Sequence, residues 1–363
     1  ITFATAGDYD VSISGAFPSI YFNNGGDKAK LIDIKQWGNI AWTSFNRAFK
    51  GCSNLVGTYT DAPDLSGVIT LTETFRQCSA FTGKVSNWDV SNITNMGAMF
   101  RNCDVFNSDC SSWDTSNIAY MNSMFQGARA FNQDISNWDV SNVTTMSLMF
   151  NTTIDFDQNL GSWDISIVSV FSNFKTVGAL SVANYDALLI GWVANLDAYV
   201  AAGNTYSLTP TANFGISIAS GAGITSKTTL RDTYSWTVTD GGDIGPQLIT
   251  NGDFSNGGTD WSVEPSGLWT FPTGLNIARS NGSNGSNAEL KQNQTMESGK
   301  KYQLIYEIKE WQSGTIKGST GTVHSGNGIY TEIITNNTRT TLPFLPNSFV
   351  GAITNVSLKE YFE

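Results

Sequence analysis

The segment from Phe131 to Phe150 reads FNQDISNWDVSNVTTMSLMF, and its pattern recurs every 25 residues along the middle of the chain. Two kinds of position keep this step. They are the Trp-Asp pairs, Trp88-Asp89, Trp113-Asp114, Trp138-Asp139 and Trp163-Asp164, and two Phe columns, Phe75, Phe100, Phe125 and Phe150 with Phe81, Phe106, Phe131 and Phe156. A fixed period of this length is typical of stacked units, none of which can bury its apolar face alone. The repeat therefore predicts a solenoid.

Within one copy, apolar residues recur at spacings of three and four, as on one face of a helix: Val140, Val143, Met146, Met149 and Phe150. Asp139 or Ser141 would cap this helix by accepting its free N–H groups. Residues 135–138 are too few for a helix, so we place a strand there. Each copy is thus predicted as a short strand, a turn and a short helix, and the stack as an α/β solenoid. One column of Asn residues is expected to hydrogen-bond backbone groups in the turns: Asn92, Asn117 and Asn142.

The remaining segments define the domain organisation. Residues 1–35 are predicted to cap the first coil, with short strands at residues 8–14 and 20–22. The repeats occupy residues 36–180. A second cap, residues 181–243, contains an amphipathic helix over residues 181–203. From residue 247 the 25-residue period gives way to alternation, which predicts an all-β sandwich over residues 247–363, with strands at 247–254, 269–271, 288–292, 301–308, 328–334 and 353–358.

The charge balance excludes some partners. The chain has 20 basic and 31 acidic residues, a net charge of −11, and no basic run. This argues against nucleic acid and anionic membranes as partners. No apolar run reaches the length of a membrane-spanning helix. The chain begins with Ile rather than Met, so we expect a processed or partial product whose missing N-terminal sequence could carry an address or an anchor.

The four cysteines fall in apolar columns of the repeat. Cys52, Cys78 and Cys103 share one column, and Cys110 occupies the column of Val85 and Ile135. We interpret all four as buried small hydrophobic residues. A Cys52–Cys78 disulfide between neighbouring coils is the alternative, and the spacing matches no zinc site.

Beyond composition, the sequence resembles two known families. The units FNQDISNWDVSNVTTMSLMF and GCSNL, with the closing NYDALLIGW and WTVTDGG, resemble the BspA-like leucine-rich-repeat surface proteins over roughly residues 30–243. Their 25-residue unit was also noted in Mycoplasma lipoproteins and occurs in bacteriophage structural proteins. The resemblance implies a leucine-rich-repeat-type solenoid in an extracellular, cell-surface or virion setting, with adhesion or host interaction as the usual role. The run LITNGDFSNGGTDW is similar to carbohydrate-binding jelly-roll modules.

No enzymatic signal is visible, and neither resemblance supplies catalytic residues. His324 is the single histidine, lies in a Gly/Ser-rich turn and is expected to be solvated. The Asp of each Trp-Asp pair recurs once per coil, so we interpret the ladder as caps rather than as the carboxylate pair of a glycosidase. Asp155, Asp157 and Asp164 do not have the spacing of an EF-hand loop, and Asp8 and Asp10 are no better.

Sugar recognition is the sharpest functional hypothesis. The apolar faces of sugar rings stack on exposed aromatic rings, and the candidates are Trp261, Trp269, Trp311, Tyr306 and Tyr330. Trp261 and Trp269 are the expected core residues. The predicted glycan site is Trp311 with Tyr330 and the flanking Glu310 and Gln312, near loop ends where binding residues collect. By analogy with jelly rolls that hold a structural calcium near their opening strand, Asp253 is a candidate metal ligand; no other cofactor is predicted.

Two functional interpretations stay open. In the first, the chain is a non-enzymatic adhesin or virion fibre that binds a cell-surface glycan or protein receptor. In the second, it is a purely structural virion or surface-layer component whose solenoid acts as a spacer. Both are compatible with a homo-oligomer or with attachment to a larger assembly, and neither requires membrane insertion.

Overall fold

The computed structural model describes residues 5–247, 252–264, 269–272, 275–281, 289–292, 296–319, 321–336 and 342–362. It divides into two compact units, Ile1–Ile218 with Ala222–Gly241, and Ala219–Gly221 with Gly242–Glu363. Residues 244–246, which lie between the two predicted domains, belong with Asp243 and Gln247 to a strand of the second unit. Helices are few, and most regular structure in the described residues is β.

The first unit is built from coils that follow one another every 25 residues. Isolated parallel bridges join equivalent positions of successive coils: Thr70, Asn95, Tyr120, Thr145 and Val170. Beside each bridge, backbone N–H groups of one coil donate to carbonyls of the next, as from Met96 to Tyr120 at 3.0 Å and from Phe100 to Met124 at 3.0 Å. Bonds in the opposite sense lie on the other side of each bridge, as from the N–H of Ala119 to the carbonyl of Thr94 at 2.9 Å. We call these coils, residues 44–178, the repeat stack.

The predicted helix in each copy is wrong. Leu148 and Thr152 have left-handed backbones, with φ of 60° and 59°, which no α-helix tolerates. The N–H of Leu148 reaches Ser172 of the next coil, whereas the N–H of Met149 closes a tight turn to Met146. Buried positions spaced by three and four thus arise from successive three-residue turns. The strand predicted at residues 135–138 is also absent, because the N–H of Trp138 turns back to the carbonyl of Ile135.

Aromatic columns form the core of the repeat stack. Rings of neighbouring coils lie nearly parallel, with centroids 5.8 Å apart for Phe100–Phe125 and 6.0 Å apart for Phe106–Phe131. Trp113 and Trp138 stack at 6.0 Å. The indole Nε1 of each donates to a carbonyl of the preceding coil, from Trp113 to Val85 at 2.9 Å and from Trp138 to Cys110 at 3.0 Å. Burial of the Trp column is therefore confirmed, and the Nε1 atoms of Trp113, Trp138 and Trp163 are satisfied inside the stack, whereas that of Trp88 has no partner among the described residues.

Polar columns close the turns. Asp139 Oδ1 accepts from the N–H of Ser141 at 2.9 Å, and Asp89, Asp114 and Asp164 repeat this bond in their own coils. The aspartates thus cap turns rather than helices. The prediction for the Asn column is confirmed at two of its positions, since Asn117 and Asn142 donate to the carbonyls of Ser91 and Ser116 at 2.8 and 2.7 Å.

The last coil is followed by a mixed segment. It contains α1 (Val182–Ala201), β1 (Thr211–Asn213), β2 (Ala219–Ser220), α2 (Gly221–Asp232) and β3 (Thr237–Thr239), with β1 and β3 paired in parallel. Ser181 caps α1 by accepting from Asn184 N–H. The predicted helix is confirmed within two residues at each end. Trp192 of α1 donates to the carbonyl of Leu160 at 3.0 Å, so the helix continues the Trp column.

At the other end of the first unit, the strand predicted at residues 8–14 is wrong. Every residue from 8 to 14 is exposed, so their alternating pattern faces no apolar surface. Instead, Ser19 bridges Ser44 and the N–H of Phe22 donates to the carbonyl of Ala48 at 2.9 Å. A short 3-10 helix follows at Lys28–Lys30. None of the described helices combines the length and the apolar character that crossing a membrane requires.

The second unit is a barrel-like sheet. Its strands are β4 (Asp243–Gln247), β5 (Trp261–Glu264), β6 (Trp269–Thr270), β7 (Ala278–Asn281), β8 (Glu289–Gln292), β9 (Lys301–Gly318), β10 (Gly328–Thr335) and β11 (Leu342–Phe362). With β2, these described strands form one sheet rather than two separate ones. The long β11 pairs with β9 along one edge and with β8, β7 and β4 in turn along the other.

One face of this sheet encloses the core of the second unit. Tyr302, Leu304, Tyr306 and Ile308 alternate along β9 and are all buried, as their spacing predicts. Trp261 and Trp269 are 8% and 4% exposed, which confirms them as core residues. Strands β5 and β7 have no counterpart in the sequence prediction, and residues 248–251 of the predicted first strand lie outside the described residues.

All four cysteines are free and buried, so the alternative Cys52–Cys78 disulfide is not formed. Burial raises the pKa of the Cys52 thiol to about 12 and that of the other three further. The Sγ of Cys78 donates to the carbonyl of Phe49 at 3.0 Å. These thiols therefore behave as small core residues, as the apolar columns predict.

A lysine is buried near the end of the repeat stack. Lys175 is fully enclosed, and its Nζ donates to the carbonyl of Thr153 at 2.9 Å. Burial lowers the pKa of Lys175 to about 8, against the opposing effect of Asp157 and Asp155. Because the unfolded chain keeps the proton up to the ordinary pKa of 10.5, the contribution of Lys175 to stability should rise between about pH 8 and pH 10.5.

Lys175→Met should therefore raise the free energy of unfolding at pH 7 by on the order of 1–2 kcal/mol, since it removes a buried charge while leaving Thr153 without its donor. The gain should shrink as pH approaches 10. Urea unfolding of both proteins at pH 7 and pH 9.5 measures this, with the exposed Lys84→Met as a control expected to change nothing. Equal stability of wild type and Lys175→Met at pH 7 would contradict the buried-charge account.

Candidate functional site

The predicted aromatic platform lies on an irregular part of β9. Trp311 is 37% exposed. The pairing of β9 with β11 shifts register between Lys309–Ala352 and Ser313–Val350, so residues 310–312 bulge out of the ladder. Glu310 has a left-handed backbone, with φ of 53°. The alternate residues Tyr302 to Ile308 before the bulge are buried, and Trp311 falls in the series of outward-facing positions between them.

Hydrogen bonds fix the orientation of Trp311. Its backbone N–H donates to Asn327 Oδ1 at 2.8 Å, and its indole Nε1 donates to the carbonyl of Gly314 at 3.0 Å. The polar edge of the ring is thereby satisfied within the protein, and the exposed part of the side chain is apolar ring. A fixed, part-exposed indole loses little conformational entropy when a ligand stacks on it.

The flanking polar side chains differ in their availability. Glu310 pairs with Arg279 of β7, and both remain well exposed, at 50% and 39% of the side chain. Gln312 is exposed. The carboxylate of Glu310 thus stands beside the indole with a cation next to it, and together with Gln312 it offers the donors and acceptors that sugar hydroxyls need.

Tyr330 lies on the other side of the same loop. Its hydroxyl donates to the carbonyls of Ser325 and Gly326 at 3.1 and 3.0 Å, and its ring stacks on His324 with centroids 4.1 Å apart. Tyr330 and Trp311 therefore both form hydrogen bonds to the segment of residues 325–327. The structure uses Tyr330 to hold this loop, so its hydroxyl already has partners.

The expectation of a solvated His324 is wrong. His324 pairs with Ile316 in an antiparallel bridge, and its Nε2 lies 2.9 Å from Glu332 Oε1. Glu332 is 8% exposed at its side chain and also accepts from the hydroxyl of Tyr306, at 3.3 Å, and from the N–H of Thr322. Three hydrogen-bond donors therefore meet the enclosed carboxylate of Glu332. The alternation of residues along β10 indicated the burial of Glu332, because Glu332 falls between Tyr330 and the buried Ile334.

Asp253, the predicted calcium ligand, forms a local hydrogen bond. Asp253 is exposed, and its Oδ1 accepts from the N–H of Ser255 at 3.1 Å. This bond lowers the pKa of the Asp253 carboxyl below its ordinary value. In the part of the chain that the structure describes, no cluster of three or more His, Cys, Asp or Glu residues could hold a metal ion. A calcium ion at Asp253 stays a prediction.

The first unit contributes two further features. A cleft of about 400 Å³ lies between the last coil and α1, lined by Asp164, Ala194, Asn195, Ala198, Tyr199, Ala202 and Asn204.

The second feature is a cluster of ion pairs in the repeat stack. Glu73, 11% exposed at its side chain, accepts from Arg47 Nε and Lys50 Nζ at 2.7 Å each and from Arg76. Burial alone would raise the pKa of Glu73, but these three cations lower it to about 2.

Comparison with known proteins places the repeats in context. Residues 43–163 match a family model described as a Mycoplasma protein of unknown function, DUF285. No curated protein matches the chain. Among solved structures, the crystal structure of the enzymatically active domain of bacteriophage CBA120 tailspike protein 4 is similar at 11% identity and a TM-score of 0.28. The alignment covers 90% of this chain and 63% of that chain, and a similarity this low transfers neither fold nor function.

Proposed function

We propose that this chain is a non-enzymatic recognition protein of a bacterial surface or a phage virion, and that its second unit binds glycans. The observation that carries the proposal is Trp311, an indole 37% exposed, fixed by two hydrogen bonds on a bulge of β9. Aromatic rings present a large apolar surface at low entropic cost, and the faces of sugar rings are apolar. Glu310 and Gln312 stand next to it in the chain for the hydroxyl groups.

The surface setting rests on the repeats. The family model matched over residues 43–163 supports assignment to a Mycoplasma-type repeat family, and the sequence resembles BspA-like surface proteins over a longer span. We interpret the repeat stack as a leucine-rich-repeat-type solenoid whose helices are replaced by turns. For the second unit we propose a carbohydrate-binding-module-like jelly roll, in which the long β9 and β11 bend at their register shifts to close the core.

A structural role is the second candidate. The observation that favours it is the continuous ladder of backbone bonds between coils, because a stack in which every coil bonds its neighbours suits a spacer. A spacer needs no ligand, whereas a receptor-binding protein does. Binding to intact cells or to a glycan array separates the two, and regular incorporation into a particle without any glycan binding would favour the spacer.

The Trp311 site has a direct test. Trp311→Ala should reduce glycan binding by at least about tenfold, because the stacking surface is removed. Its stability should change by less than about 1 kcal/mol, since the indole is part-exposed. Binding is measured on a glycan array with the full chain, presented in multivalent form because a shallow site binds weakly alone.

The matched control is Ile329→Ala on β10, which removes an apolar side chain that is 71% exposed. It should leave glycan binding unchanged. If Trp311→Ala binds like the wild type, or if it unfolds, the proposed site is wrong. Turnover assays on polysaccharides should show no product, and hydrolysis would contradict the non-enzymatic assignment.

A further inference from the structure

We infer that the repeat stack carries a second ligand site, a basic column of Lys50, Arg76 and Arg101 that binds the carboxylate of an acidic sugar. These three residues occupy equivalent positions on consecutive coils, and Gln126 follows them on the next. The inference rests on the proposed glycan recognition for its ligand class, but it concerns residues of the first unit alone. It adds a selection for acidic sugars that the Trp311 site does not supply.

The first support is an imbalance of charge. Arg47, Lys50 and Arg76 all pair with Glu73, so three cations share one carboxylate. Arg101, one coil further, forms no ion pair with any described residue. Four positive charges therefore face one negative charge, in a chain whose net charge is −11. Burial lowers the pKa of Arg101, and the neighbouring charge of Arg76 lowers it further, against the opposing effect of Glu73.

The second support is a run of buried polar atoms without protein partners. The Nε atoms of Arg76 and Arg101 find no acceptor among the described residues, and the Oε1 of Gln126 finds no donor. Two donors and one acceptor thus stand unpaired along a single column, and unpaired buried groups are costly. The Nε atoms themselves are enclosed, but both arginine side chains are only part-buried, at 25% exposure for Arg76, and a ligand would reach their exposed parts.

The chemistry favours a carboxylate on a sugar. A guanidinium presents a planar fork that matches a carboxylate. A long polyanion such as nucleic acid would be repelled by the overall negative charge. An extended peptide would need free backbone groups, yet the N–H groups of Phe100 and Asn102 already bond Met124 and Gln126. Successive coils are about 4.8 Å apart, comparable with one pyranose ring in an extended chain.

The experiment compares the full chain with Arg101→Gln on paired glycans, uronic or sialic acid sugars beside their neutral counterparts. The variant should lose about tenfold in binding to the acidic members and nothing on the neutral ones. Added salt should weaken the acidic binding of the wild type. The matched control is Arg129→Gln, since Arg129 is well exposed and lies 3.9 Å from Asp104, outside the column. Thermal unfolding confirms that both variants are folded.

The outcomes separate this inference from the proposed Trp311 site. Loss of acidic binding in Arg101→Gln but not in Trp311→Ala supports the basic column even if the Trp311 site fails. Loss in Trp311→Ala alone, with Arg101→Gln unaffected, overturns the basic column and leaves the Trp311 site standing. Equal losses in Arg101→Gln and Arg129→Gln, or equal binding of acidic peptides or single-stranded DNA with the same Arg101 dependence, overturn the assignment to acidic sugars.

Discussion

Trp138→Ala should lower the free energy of unfolding of the first unit by about 3–5 kcal/mol. Trp138 is 3% exposed, stacks on Trp113 at 6.0 Å and donates its Nε1 hydrogen to the carbonyl of Cys110. The substitution removes a large apolar volume and one of the two donors to that carbonyl, which keeps the N–H of Trp113 at 3.3 Å. In a stack where each coil contacts only its neighbours, a defect in a central coil also weakens the coils on either side. Denaturant unfolding followed by near-ultraviolet circular dichroism measures the loss.

Two variants separate the contributions at this position. Trp138→Phe keeps an aromatic ring in the column but removes the Nε1 donor, so we expect a smaller loss of about 1–2 kcal/mol. Tyr120→Ala, at a side chain that is 46% exposed on a neighbouring coil, should stay within about 0.5 kcal/mol of the wild type. Glycan binding by the second unit should persist in all three. A Trp138→Ala protein of normal stability that fails to bind glycans would show that the Trp column is a ligand surface.

Glu73→Gln should destabilise the first unit by about 2–4 kcal/mol, because removal of one partner of a buried ion pair leaves the others uncompensated. Arg47, Lys50 and Arg76 would keep their charges around a neutral amide. The expected loss is smaller than for a fully buried pair, since the side chain of Arg47 is 43% exposed and that of Arg76 is 25% exposed. Asp104→Asn, which alters a carboxylate that is 52% exposed, is the control and should change little.

The pH dependence of this loss follows from the lowered pKa of Glu73, about 2. A carboxyl with a depressed pKa in the folded state stabilises the protein above its unfolded pKa and loses this contribution as pH falls towards the folded value. The stability gap between wild type and Glu73→Gln should therefore be full at pH 6 and narrow between about pH 4.5 and pH 2. A double-mutant cycle with Arg76→Gln should show coupling above about 0.5 kcal/mol. Additive effects would contradict the ion-pair hub.

The repeat period identified the columns of buried residues, but it led to the wrong backbone conformation for them, a helix in place of turns. Trp138, Phe125 and Phe150 lie in the core because a recurring large apolar residue has no other place to be buried in a stack. The helix failed because spacings of three and four do not distinguish an α-helix from a succession of three-residue turns. What distinguishes the two is the left-handed backbone at Leu148 and Thr152. Neither residue type favours that conformation, so the sequence does not predict it.

Some features of the candidate site could be predicted from the sequence and others could not. The exposure of Trp311 and the burial of Trp261 and Trp269 follow from their positions relative to alternating strands, so the sequence could rank them. The bulge at residues 310–312, by contrast, depends on the pairing of β9 with β11, some forty residues further along the chain. His324 and Glu332 meet only because β9 and β10 form a hairpin that brings the intervening segment back onto the strands, so His324 taken alone looked like a solvated side chain.

The ladder of indole donors has a consequence for how proteins of this kind change in length. The acceptor carbonyls of Val85, Cys110, Ile135 and Leu160 recur at one step, and the donor from α1, Trp192, uses the same kind of acceptor as the donors within the coils. An extra copy inserted between two equivalent positions would find every partner already in place and would add about 4.8 Å to the stack. Unequal recombination between near-identical repeats can thus extend or shorten the unit one coil at a time, while the residues at both of its ends stay untouched.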